Sequence, residues 1–84
     1  MYYVYLIKSK KNQELYVGVA YDLVKRLGEH NGGKSFSTKS AAPWILIYYE
    51  AYKSVKDAYE REKQLKYYGQ ALGHLKRRLK FSLN

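Results

Sequence analysis

Cysteine is absent from the 84 residues, proline and tryptophan occur once each, and the acids number 7 against 16 lysines and arginines. Without cysteine there is no disulfide, no Cys-ligated zinc, no iron–sulfur cluster and no thiol nucleophile, so packing supplies the stability and a reducing cytoplasm suits the chain. The shortage of acid leaves a formal charge of +9, which argues for a polyanionic partner. No apolar run approaches the ~20 residues that span a bilayer; the longest, AAPWILIYY, is interrupted by the proline. The start, MYYVYLIKSK, is apolar first and basic afterwards, the reverse of the secretory order, so no signal peptide is expected. Phosphate-cradling glycine loops, HExxH and a Ser-His-Asp set are missing too, which argues against those enzyme classes.

What is present is aromatic and basic. Eleven tyrosines swell the apolar fraction to 46%, so the core is expected to be thin and rich in rings. The length suits one small domain over 1–84, far below the roughly 250 residues at which chains divide. Residues 2–8, YYVYLIK, read as a strand covered on both faces, and LYVGV after the polar SKKNQE reads as its hairpin partner. Gly18 shares a strand face with Tyr16 and is expected to leave space for a pocket beside it. From Asp22 to His30 the period turns helical, with Asn31-Gly32-Gly33 as the stop. Residues 34–43 read as a polar loop, and 44–52, WILIYYEAY, as a central strand because it is apolar on both sides. Ser54 opens a capping-box-like start, SVKD, of a helix expected to end at about Tyr68 with Gly69 as terminator. A last helix is expected over about 70–82, weakened by Gly73. The order is β-β-α-β-α-α, an α/β (α+β) unit with helices on both faces of a small sheet.

Three groups of residues suit chemistry. Along the 54–68 helix the spacing Ala58, Glu62, Leu65 puts a carboxylate on the face meant for burial, where an unpaired charge costs several kcal/mol. Glu62 therefore either ligates a cation such as Mg²⁺, with phosphate and water completing the shell, or pairs with Arg26 or a nearby lysine. Arg26 and His30 are four apart on one helix and can converge on a ligand; Arg forks onto phosphate and steadies a pentavalent transition state. The alternative is a solvated arginine beside a helix-end histidine. Tyr5 and Tyr16, on neighbouring strands, either share a pocket in which Arg and a cation pull a phenol below its usual pKa near ~10, or are packing residues. Beyond Glu62 the chain carries only bases. Lys63, Lys66, Lys76, Arg77 and Arg78, with Lys25, Lys34 and Lys39 earlier, are the candidate contacts to a nucleic-acid backbone.

Together the residues resemble a known family. Tyr3-Val4-Tyr5, a short loop, Tyr16-Val17-Gly18, then DLVKRLGEH and EREKQLK are similar to the GIY-YIG nuclease domain, and most to its small stand-alone members. The resemblance runs from Tyr2 to about Lys80. It implies a three-stranded antiparallel sheet flanked by helices and Mg²⁺- or Mn²⁺-dependent endonuclease cleavage of DNA. Carried over by position, one of Tyr5 and Tyr16 orients or deprotonates the attacking water. Arg26 stabilises the phosphorane, His30 is an accessory histidine, and Glu62 binds the metal. Tyr3 stands where the first motif has glycine, and Val19-Ala20 replaces a small hydroxyl residue after the second. The matched region includes none of the extra DNA-recognition modules of homing and repair members. Specificity is therefore expected to come from DNA shape, a protein partner or a homo-oligomer, with DNA repair or recombination as the setting. The competing expectation is a non-catalytic module that binds DNA or RNA through the same basic surface. A protein-interaction domain is a third class, and it would show no nucleic-acid affinity in moderate salt.

Overall fold

The computed structural model describes residues 1–84. Strands β1 (Tyr2–Ser9), β2 (Leu15–Ala20) and β3 (Trp44–Tyr52) form an antiparallel sheet in the order β2-β1-β3. Helices α1 (Leu23–Asn31), α2 (Val55–Tyr67) and α3 (Gly69–Arg78) complete the α+β order read from the sequence. No helix is long and apolar enough to cross a membrane.

The central strand is β1, not β3. Val4, Tyr5, Leu6 and Ile7 are all buried, as a strand with partners on both sides and helices on both faces must be. The run at 44–52 has the same β-forming residues but leaves Ile45 and Tyr49 exposed. Aromatic and β-branched side chains suit any half-buried pleated surface, so their density does not distinguish an edge from a centre. One face of the sheet packs Val4, Leu6 and Val17 against Ala58, Leu65 and Leu75 of α2 and α3. The other packs Tyr5, Ile7 and Ala20 against Ala41 and Trp44, with Leu23 and Leu27 of α1 alongside.

Caps set the helix limits. Asp22 accepts from the Lys25 amide at 3.1 Å and Ser54 from the Lys56 amide at 3.2 Å, each satisfying one orphan donor of a first turn. Ser54 thus bonds the second helical residue rather than Asp57, and the box is incomplete. Gly69 does not end α2. The break falls at Tyr68, whose extended backbone (φ −115°, ψ 95°) serves as C-cap of one helix and N-cap of the next, so Gly69 opens α3. That helix stops at Arg78, short of residue 82, where Leu79 closes back onto Leu75 and Lys76.

Residues 34–43 are more than a polar loop. Ser35, Thr38 and Ala41 are buried, and Lys39–Ala41 forms a 3-10 turn. Asn31 clamps this segment to the sheet by accepting from the Trp44 amide at 2.5 Å and donating to the Trp44 carbonyl at 3.1 Å. On the β3 side, Glu50 accepts from Tyr48, Tyr52 and the Arg61 guanidinium. This brace ties α2 to the sheet one residue before Glu62. Burial pushes the Glu50 carboxyl up, but these three donors outweigh it and hold it below its ordinary value.

Candidate active site

Tyr5 lies in the middle of β1, opposite Gly18 of β2. A Cβ added at Gly18 would stand 2.6 Å from Tyr5 Cζ, closer than side chains approach. The glycine of the second motif therefore makes room for the tyrosine of the first, and the space expected beside Tyr16 is filled by the Tyr5 ring. The Tyr5 hydroxyl is 2.7 Å from His30 Nε2, and His30 is fully buried. Its Nδ1 is 2.6 Å from Thr38 Oγ1, and the Thr38 carbonyl accepts from Trp44 Nε1 at 2.9 Å. A buried hydroxyl left without an acceptor costs about 1–3 kcal/mol. Each of these two hydroxyls therefore has a ring nitrogen of His30 as its partner, and the neutral ring donates through one nitrogen and accepts through the other. His30 is thus a buried residue in the last turn of α1, held at both ring nitrogens.

Arg26 lies one turn before His30. Its Nη1 donates to Glu29 at 3.0 Å, which together with the Tyr5 phenol raises its already high pKa. The guanidinium lines a shallow basin with Lys25, Tyr21, Asp22 and Glu29. Burial raises the Tyr5 phenol above its usual value, and Arg26, by hydrogen bond and charge, draws it part of the way back. Desolvation at the sheet centre thus outweighs the single half-exposed arginine. Burial lowers His30, and the Arg26 charge lowers it further, so the imidazole is neutral at pH 7.

Tyr16 offers its ring edge to His30 with centroids 5.3 Å apart, and Lys66 Nζ stands 5.1 Å from the Tyr16 centroid. That lysine pairs with Glu62 at 3.4 Å, one helical turn earlier. Glu62 is half-buried beside the buried Ala58 and Leu65, and its partner is Lys66, while Arg26 takes Glu29. The Glu62 charge nevertheless reaches Tyr5. No three His, Cys, Asp or Glu side chains gather as a cage. A single carboxylate suits a hard cation such as Mg²⁺, which keeps several waters and takes phosphate oxygens, so the residues present fit such an ion.

Residues from β1, β2, α1 and α2 thus converge around one phenol. The profile of the GIY-YIG catalytic domain matches residues 1–71, which include all of them. The chain belongs to the GIY-YIG family. That family is one of endonucleases, and its nucleases act on DNA. This GIY-YIG chain is 38% identical to a UPF0213 protein of Staphylococcus haemolyticus over 66 residues, 77% of this chain and 79% of that protein. It is 36% identical over 67 residues to a UPF0213 protein of Clostridium perfringens, covering 79% of this chain and 71% of the relative. No solved structure matches it.

The fold brings Tyr5, Tyr16, Arg26, His30 and Glu62 of this GIY-YIG domain together. The basic candidates are distributed more widely. Lys25 borders the Arg26 basin and Lys66 covers Tyr16, whereas Lys76, Arg77 and Arg78 belong to α3, whose buried Leu75 packs on the opposite face of the sheet from Tyr5. Lys34, Lys39 and Lys63 are exposed. Thr38 was missed by sequence reasoning. The polar loop in which it lies gave no sign of which hydroxyl turns inward.

Proposed function

We propose that this domain is a divalent-metal-dependent endonuclease hydrolysing DNA phosphodiester bonds. The observation that carries this reading is the convergence of Arg26 and His30 on the Tyr5 hydroxyl, with Arg26 also lining an open basin beside Lys25. Arg26 would receive a non-bridging phosphate oxygen and offset the charge that builds on the phosphorane, an effect worth about 10²–10³ in rate for a single preorganised donor. Tyr5, its oxygen bonded to His30 and drawn by the charge of Arg26, would orient the attacking water. Thr38 and His30 hold that oxygen in place. Tyr16 would contribute its ring as a wall beneath Lys66. Glu62 would hold Mg²⁺ or Mn²⁺, which when bound acidifies water and polarises the phosphate.

The setting that suits such a domain is structure-directed cleavage in the cytoplasm during DNA repair or recombination, with a protein partner or a second copy adding specificity. A second reading, a binding module that does not cut, is favoured by the Glu62–Lys66 pair, which neutralises the carboxylate needed for a cation. Incubating plasmid, branched and single-stranded DNA with purified protein and Mg²⁺ or Mn²⁺, beside Glu62→Ala and a metal-free control, separates the two. Metal-dependent nicking that the substitution abolishes, with salt-dependent binding retained, supports the nuclease. Tight binding without cleavage by the wild type supports the module.

A further inference from the structure

Next to the Arg26 basin lies an open apolar groove of about 520 Å³. Tyr21, Val24 and Leu27 wall it on the α1 side, Tyr3 and Tyr49 on the sheet side, and Asp22 is its one charged residue. Tyr21 is 70% exposed and Tyr49 51%. Both rings are nevertheless braced, Tyr21 edge-on against Tyr2 at 5.4 Å between centroids and Tyr49 edge-on against Tyr3 at 5.6 Å. Exposed aromatics whose orientation is already fixed lose little freedom when a flat group stacks on them.

Tyr21 and Asp22 line both this groove and the Arg26 basin, so a nucleotide whose phosphate meets Arg26 and Lys25 has the groove as its neighbour. Apart from Asp22, which caps α1 at the junction with the basin, the groove is lined by apolar and aromatic side chains alone, which suit an uncharged planar group rather than a phosphate. A base inside a duplex cannot enter, because its faces are occupied by the bases above and below. A second copy of the chain is a poor occupant. Eight residues line the groove, whereas a stable protein interface uses roughly 20–30 a side.

We infer that the groove seats an unpaired DNA base beside the phosphate held at Arg26, so that the preferred substrate is a flap, overhang or mismatch. The placement of that phosphate rests on the nuclease reading above; the base site itself is a binding property and is tested as one. In the Glu62→Ala background, which removes cleavage, fluorescence anisotropy compares a flap oligonucleotide with a fully paired duplex of equal charge. A second set of flaps carries 2-aminopurine at the unpaired position to report stacking. The expected result is a preference for the flap of roughly ten-fold or more, the scale of one base stacked on an aromatic ring, with quenching of the 2-aminopurine. Tyr49→Ala, checked for an unchanged thermal midpoint, is expected to remove the preference and leave duplex affinity within about two-fold. Equal affinity for flap and duplex would overturn the proposal. So would a preference that survives Tyr49→Ala, or a concentration-dependent dimer that Tyr49→Ala dissociates. A wild type that cuts nothing while the Tyr49-dependent preference stands would remove the nuclease and keep the base site; cleavage of flap and duplex alike would do the reverse.

Discussion

Adding one methyl group at Gly18 is expected to damage this domain as much as deleting a large side chain from its core. The Cβ of Gly18→Ala would lie 2.6 Å from Tyr5 Cζ, and the ring has no easy retreat. Tyr5 is 2% exposed, and its hydroxyl is bonded to a histidine that is itself fully buried. Overpacking of this kind costs about 1–3 kcal/mol. If the ring moves, the bond to His30 is lost as well, leaving a buried donor at a cost of about 1–3 kcal/mol. A total near 3 kcal/mol corresponds to a fall in Tm on the order of 15 °C for a domain of this size, readable by circular dichroism. Gly73→Ala in α3 is the control. Nothing lies within 4 Å of the added Cβ, so helix propensity alone should raise stability by about 1 kcal/mol. In a Tyr5→Ala background the cost of Gly18→Ala should disappear, so the double-mutant cycle recovers the contact directly. A Gly18→Ala protein melting within about 2 °C of the wild type, or an equal cost with and without the Tyr5 ring, would refute the close approach.

Arg61→Met removes the donor that links α2 to Glu50 and is expected to cost about 2 kcal/mol, measured as a lower urea midpoint at unchanged m; an unaltered midpoint would show the brace to be idle. Stability should form a plateau between two titrating limbs. His30 and Glu50 have folded pKa values lowered from 6.5 and 4.5, so their contributions are present above those values and are lost as pH falls below them through the folded ones. Tyr52, pushed from 10.0 up to about 12 mainly by burial and then by Glu50, contributes below pH 10 and loses that contribution as pH rises towards 12, with Tyr5 and Tyr48 shifted the same way. Urea midpoints from pH 4 to 12 should show both limbs, and Tyr52→Phe should flatten the alkaline one. Lys25→Ala is expected to reduce the slope of log K against log salt for DNA binding by about one, the signature of one lost phosphate contact; an unchanged slope would remove Lys25 from the interface.

Periodicity and turn chemistry made the order of elements legible, because a doubly apolar strand, a loop rich in polar residues and an Asp- or Ser-capped helix each leave a local mark. What the chain did not disclose was pairing. The 2–8 and 44–52 runs are equally β-forming, and only contacts between distant residues decide which one takes two neighbours. Gly69 misled for a related reason, since a glycine at a helix boundary fits the end of one helix and the start of another equally well. At the candidate site, the resemblance supplied the five positions that converge, yet the hydroxyl that holds His30 and the glycine that makes room for the phenol ring went unread in those roles. Thr38 is one hydroxyl among several in its loop, and the relation of Gly18 to Tyr5 exists only once β1 and β2 are in register. The Glu50 brace had a visible trace, a carboxylate inside WILIYYEAY. Its partner could not be inferred until α2 lay across the sheet.

The order β2-β1-β3 has a consequence for synthesis on the ribosome. The strand that ends up in the middle is made first and finds one neighbour almost at once through the short β1–β2 hairpin. Its other neighbour, β3, is complete only some forty residues later, which at about 5–20 residues/s is a wait of several seconds. Throughout that interval β1, an apolar strand with a bare edge, is open to pairing with other nascent chains. Lys8, Lys10 and Lys11 at the hairpin end place like charge beside that edge on every copy, which opposes such pairing until Trp44–Tyr52 arrives.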